Sequence, residues 1–256
     1  MSNEHVPKHE TDSVKKDSKL LKMFRSPTNQ CRIGKLTERA WLWSLSKIQR
    51  FLLYGHKETS EINMIRKMQK ERISLLTAYE CYTLLSCVKG TRNRPGAFLE
   101  VGAYYGGSSK LICEMKGDDK PFYVCDTFEG LPEGTEKDKG VHRKSQYSCS
   151  LESVSQYLAP YQNVHFVRGL FPASAEGIIP DDVRFAFVHL DVDLYESTLR
   201  SLEYAFPRMD PGGIVLSHDY SLLAGVKAAF HEFLKDTKCS CSLIELPSTQ
   251  CMLIKS

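Results

Sequence analysis

Downstream of Pro95 and Gly96 the chain alternates short apolar runs with amphipathic stretches, and this alternation limits the fold more than any other feature. The runs 97–101, 122–125, 164–167, 185–190 and 214–217 have the length and enrichment of buried strands. Between and after them, residues 108–115, 151–158, 197–206 and 225–234 carry apolar side chains at helical spacing. Strands that alternate with helices build a parallel, doubly wound α/β sheet covered on both faces. Two last runs, 243–246 and 252–254, are split by Pro247, Ser248 and Thr249 and predict an antiparallel hairpin at the sheet edge.

Upstream, residues 36–54 and 61–88 show helical periodicity, and residues 1–34 are polar and Lys-rich. The expected organisation is a poorly ordered tail (1–34), N-terminal helices that cap the site or form an oligomer interface (35–94), and one α/β domain (95–256). Basic and acidic residues, 34 against 31, are mixed along the chain, which gives no footprint for nucleic acid. No apolar run approaches the roughly 18 residues that span a bilayer, and the first residues lack a signal-peptide pattern, so no membrane and a cytoplasmic location are expected. The nine cysteines, several of them inside apolar runs, read as reduced thiols filling core volume. Cys239 and Cys241 fit alternate positions of a strand edge better than half of a metal site.

Ligands of open α/β sheets bind outside the carboxyl ends of the strands. The first such end reads Phe98-Leu99-Glu100-Val101-Gly102-Ala103-Tyr104-Tyr105-Gly106-Gly107-Ser108, a strand, a glycine turn and a helix start. Glu100, Gly102 and Gly106 stand at a spacing different from the dinucleotide fingerprint, and a carboxylate there suits an amino group better than a diphosphate, which it would repel. Asp126 ends the second strand, where an acid can accept from both ribose hydroxyls or cap its own turn with Thr127 and Phe128. Together these features point to an adenosyl ligand. Val101, Ala103, Tyr104, Gly106 and Ser108 line the first turn, and Gly169 and Phe171, after the third strand, are candidates to pack on its adenine.

The fourth strand ends in His189-Leu190-Asp191-Val192-Asp193, the fifth in Ser217-His218-Asp219-Tyr220. Residues two apart on a strand share a face, so Asp191 and Asp193 are expected to project together if the strand continues. Three carboxylates on one rim are costly without a cation or a shared proton and suit Mg²⁺ or Mn²⁺. The structural alternatives are a helix N-cap at Asp193, a loop cap at Asp219 and an ordinary strand-end histidine at His218. His189, deeper in its strand, is expected to be structural.

The segments from Phe98 to Gly102, Asp126 to Pro132, His189 to Ser197 and Pro211 to Tyr220 resemble the macrocin O-methyltransferase (TylF/MycF) family of sugar-modifying enzymes of antibiotic biosynthesis. The resemblance implies a Rossmann-like class I methyltransferase sheet, bound S-adenosyl-L-methionine, Mg²⁺ and the hydroxyl of a sugar or glycosylated small molecule as acceptor. It further implies Asp191 and Asp219 as metal ligands and Asp193 as general base. Where the family carries Asp-Asp-Tyr after the fifth strand, this chain has His218-Asp219-Tyr220. An imidazole in place of a carboxylate leaves open whether His218 binds Mg²⁺, favours a softer divalent ion, or gives way to water. The resemblance also suggests a homo-oligomer. Phenol or catechol methylation is the alternative reaction, and a non-catalytic adenosyl-binding protein the alternative class.

Overall fold

The structure is a computed structural model, described for residues 32–138, 142–236 and 240–256. Most of the expected tail lies outside these residues, as does Cys239; Arg32 to Gly34, expected in that tail, are helical. The residues divide into two compact units, the second running from Trp41 to Ser256. The division falls within helix α1 (Arg32–Tyr54).

Helices α2 (Thr59–Glu71) and α3 (Ala78–Thr91) replace the single helical stretch expected over 61–88. The interruption is fixed by Thr77, which caps α3 through a reciprocal box with Glu80. That box satisfies backbone donors that a continuous helix would have spent elsewhere.

The strands are β1 (Ala97–Val101), β2 (Phe122–Asp126), β3 (Val164–Arg168), β4 (Phe185–Leu190), β5 (Met209–Ser217), β6 (Cys241–Glu245) and β7 (Cys251–Lys255). Interleaved with them are α4 (Gly107–Lys116), α5 (Leu151–Leu158), α6 (Tyr195–Ala205) and α7 (Ala224–Asp236). The sheet order is β3-β2-β1-β4-β5-β7-β6. The pairs from β3 to β5 are parallel, and β7 runs antiparallel to both β5 and β6, as the expected edge hairpin requires. The expected strand over 214–217 begins earlier, at Met209.

Neighbouring strand residues feed opposite faces. Phe98, Phe122, Phe187 and Leu216 pack with α2, α3, α4 and α5, whereas Leu99, Cys125, Val188 and Val215 pack with α6 and α7. Both faces are therefore dry, which explains continuous apolar runs in place of alternation. Cys81, Cys87, Cys113, Cys125, Cys149 and Cys251 are buried free thiols. Because the strand order reverses between β1 and β4, a crevice opens at their carboxyl ends, and both the glycine turn and the acidic segment lie there.

Candidate active site

Backbone hydrogen bonds extend past the strand ends and align the rim. Asp191 N donates to Val101 O (2.9 Å), His218 N to Leu190 O (2.8 Å), and Gly102 N to Cys125 O (2.9 Å). Gly102 has φ of 92°, and a Cβ on it would stand 1.9 Å from the carbonyl oxygen of Asp191. Only glycine allows the turn after β1 to lie this close to the end of β4.

The glycine turn is held from beneath. Asp126 accepts the N–H groups of Ala103 (2.8 Å) and Tyr104 (2.9 Å) on Oδ2 and that of Phe128 (2.8 Å) on Oδ1. A carboxylate offers about four acceptor positions, so these bonds leave Asp126 about one for a ligand rather than the pair expected for two ribose hydroxyls. Burial pushes its pKa up against the pull of those N–H donors.

Glu100 is fully buried; its carboxylate is taken by Ser109 Oγ and by His189 Nδ1 at 2.9 Å. It supports the turn from inside and does not face a ligand's amino group. His189, also fully buried, is structural, as expected. Val101, Ala103 and Ser108 are buried in the turn's frame, Gly106 takes φ of 77° at the start of α4, and the Thr127 hydroxyl donates to Gly130 O at 2.7 Å. Gly169 N donates to Asp126 O (2.9 Å), which places Gly169 beside the same rim. Phe171 corrects the expectation of an adenine contact: it is 6% exposed and meets the Tyr204 ring edge-on at 4.8 Å, in the core.

Strand β4 ends at Leu190, so Asp191 and Asp193 are not brought together by strand alternation. A loop does it, with Asp193 at φ 59°, a left-handed conformation that Asp tolerates better than most residues. Asp193 is not the cap of α6 either. Asp138, from the loop after β2, accepts the Tyr195 N–H on Oδ1 at 2.7 Å and does that work. Asp219, also at φ 59°, follows β5.

Nδ1 of His218 lies 3.3 Å from Asp191 Oδ1 and 2.9 Å from Asp219 Oδ2. Both lie within ion-pair distance, and their negative charge draws them to the ring. Burial disfavours the imidazolium, but Asp219 and Asp191 overcome it and hold the His218 pKa well above its ordinary value. Asp191 is lowered: burial would raise it, and the His218 charge prevails. Asp193 is raised well above the carboxylate range by burial and by the charges of Asp219 and Asp191.

Ligand atoms of Asp191, His218 and Asp219 all lie within 4.8 Å of one another. The donor set, two carboxylates and one imidazole nitrogen, fits a divalent cation. Without one, a proton on His218 and a proton on Asp193 balance the negative charge, and a divalent ion would replace both.

Two residues of the site carry no sequence signal of the kind used above. Glu80 reaches the cluster from the start of α3, with Oε1 3.6 Å from His218 Nε2. His142 lies in a loop, its Nε2 3.9 Å from Asp193 Oδ1, and burial lowers its pKa. The His142 ring meets Tyr147 edge-on at 5.9 Å, and Tyr147 meets Tyr104 of the glycine turn at 5.5 Å. A line of aromatic contacts thus joins the turn to the acids.

Sheet order, glycine turn and acidic rim define a class I methyltransferase fold. The O-methyltransferase NovP shares it, with a TM-score of 0.64 at 23% identity over 72% of this chain and 82% of that one. The chain belongs to the macrocin-O-methyltransferase (TylF) family, whose pattern matches residues 83–253. It is 33% identical over 154 residues to the 8-demethyl-8-(2,3-dimethoxy-alpha-L-rhamnosyl)-tetracenomycin-C 4'-O-methyltransferase of Streptomyces olivaceus, covering 54% of this chain and 58% of that protein. Over 169 residues it is 28% identical to the mycinamicin III 3''-O-methyltransferase of Micromonospora griseorubida, covering 59% of this chain and 65% of that one. The chain therefore spans less than two thirds of the length of these relatives.

Proposed function

We propose that this protein transfers a methyl group from S-adenosyl-L-methionine to a hydroxyl of a sugar or glycosylated small molecule, with a divalent cation at the rim. The observation that carries this reading is the contact between Gly102 and Asp191, which puts the glycine turn of a methyltransferase fold against the Asp191, His218 and Asp219 cluster. One relative bears the name of an O-methyltransferase whose acceptor carries a rhamnosyl group, which supports the acceptor class.

The glycine turn, Gly102 to Ser108, would hold the methyl donor, with Glu100 fixing the turn from within and Asp126 offering its remaining acceptor position. When bound, S-adenosyl-L-methionine supplies an electrophilic methyl group on a sulfonium. Asp191, His218 and Asp219 would hold Mg²⁺ or a softer divalent ion, which when bound supplies Lewis-acid stabilisation of a developing alkoxide.

A sugar hydroxyl does not ionise unaided near neutral pH, so a base is needed. Asp193 fills that role: it lies against Asp219, and a cation on Asp191 and Asp219 would leave it ionised and able to take the hydroxyl proton. Beside it, the neutral His142 offers a further place for the proton. The aromatic contacts from His142 through Tyr147 to Tyr104 would help keep acids and donor turn in fixed relation, the positioning on which transfer depends.

Exposed Trp43, Ile48, Phe51 and Leu52 on α1 support self-association into a homo-oligomer. Among the described residues no helix is long and apolar enough to cross a membrane, and the buried free thiols agree with a cytoplasmic setting.

The test is transfer of labelled methyl from S-adenosyl-L-methionine to a panel of deoxysugar glycosides and phenols. Expected is labelling of glycosides that EDTA abolishes and Mg²⁺ or Mn²⁺ restores. Binding of the donor without turnover of any acceptor, with metal present, would overturn the reading.

A further inference from the structure

A carboxylate at position 218 would offer an oxygen to a cation whatever its surroundings. An imidazole offers a lone pair on one nitrogen only, and the hydrogen bond at its other nitrogen decides which. At His218 the two sides of the ring are distinct. Nδ1 faces Asp191 and Asp219, and Nε2 faces Glu80 Oε1 at 3.6 Å and Thr249 Oγ1 at 3.5 Å.

The proton on Nε2 follows from counting donors. The Thr249 hydroxyl has one hydrogen, and Glu80 Oε1, 2.8 Å away, takes it, since an ionised carboxylate can only accept. Toward Nε2, Thr249 thus presents an oxygen lone pair, and so does Glu80. A bare Nε2 would face two acceptors; a protonated one faces two partners.

Glu80 is held so that it can do this. Its Oε2 accepts the Thr77 N–H and the Thr77 hydroxyl, both at 2.8 Å, which fixes the side chain on the first turn of α3 and turns Oε1 toward the ring. The side chain is 5% exposed, so water does not compete for that oxygen.

We propose that Glu80 is a positioning residue that binds the Nε2–H of His218 and so directs the Nδ1 lone pair at a divalent cation shared with Asp191 and Asp219. This role rests on the cation reading of the site. Carboxylates or carbonyls that hold the far nitrogen of a metal-binding histidine fix its tautomer and orientation, and their loss typically costs about 10–100-fold in metal affinity.

The experiment uses the full chain. Mn²⁺ affinity, from the electron paramagnetic resonance signal of free Mn²⁺, is measured for wild type, Glu80→Gln, His218→Ala and the double variant. Proton-detected ¹⁵N spectra of histidine-labelled, Mg²⁺-loaded wild type report whether Nε2 of His218 carries hydrogen. Expected are a protonated Nε2, Mn²⁺ binding weakened about 10-fold or more by Glu80→Gln, and no further effect of that change once His218 is alanine.

Equal Mn²⁺ affinity in wild type and Glu80→Gln overturns the proposal, as does an equal loss with and without His218, which would mark Glu80 as a helix cap alone. A bare Nε2 in wild type overturns it even if the variants fail to fold. Wild type that binds neither Mn²⁺ nor Mg²⁺ overturns the cation reading itself, an outcome distinct from a failure confined to Glu80.

Discussion

Replacing Gly102 by alanine tests whether the donor turn and the acidic rim are one mechanical piece. At φ of 92° a β-carbon costs about 1–2 kcal/mol in backbone strain. The new Cβ would stand 1.9 Å from Asp191 O, against a lower limit of 3.0 Å for such contacts, so a displacement of 3.0 − 1.9 = 1.1 Å is needed. The atom in the way is backbone, bonded on through Asp191 N to Val101 O, so the strain passes into β1 and β4 together. Overpacking of this kind adds about 1–3 kcal/mol. The expected loss is roughly 2–5 kcal/mol, and a shift of about 1 Å at reacting groups lowers turnover by about 100-fold. Urea denaturation of Gly102→Ala beside Gly177→Ala separates the two contributions. Gly177 has φ of 70° with nothing within 4 Å of its would-be Cβ, so that variant loses only the strain. Equal destabilisation of the two variants would refute the contact argument.

Asp193→Asn should leave the fold and donor binding intact while turnover falls by about 10²–10⁴-fold, measured as label transfer beside calorimetry with S-adenosylhomocysteine; full activity removes Asp193 as the base. Glu71, on α2, carries a pKa lowered chiefly by the Lys110 ammonium on α4. A lowered folded pKa means stability present above the ordinary value of 4.5 and lost as pH falls through the folded one, so Glu71→Gln should flatten the stability profile below pH 4.5. The pair is partly exposed and the effect should be under about 1 kcal/mol; an unchanged acid limb in denaturation curves would count against it. Gly90→Ala, near the end of α3 with open space around the new methyl, should stabilise by about 0.5 kcal/mol, read as a higher denaturation midpoint.

How far the sequence could be read depended on how local the cause was. The strands from Ala97 to Ser217 are apolar on both faces because both faces are covered, and that composition is visible in a line of residues. Asp191, His218 and Asp219 were legible because parallel strands end on one rim, so knowing two strand ends was enough. The break between α2 and α3 contains neither glycine nor proline; its one local sign was Thr77 and Glu80 at capping-box spacing. The roles of Asp126 and Glu100 turned on their partners: three backbone N–H groups for the first, His189 and Ser109 for the second. His142 and Glu80 enter from a loop and a helix start remote in sequence, and no periodicity announces such encounters.

The contact between Glu80 and Thr249 spans 169 residues of chain. During synthesis the glutamate is made early and its partner late, after β5 and after the hairpin strand β6. Until the loop between β6 and β7 closes on the rim, Glu80 Oε1 lacks the Thr249 hydroxyl it accepts in the folded protein. A contact of such sequence separation is costly to form and comes late in folding. The rim around Asp191, His218 and Asp219 would thus reach its final surroundings among the last folding events.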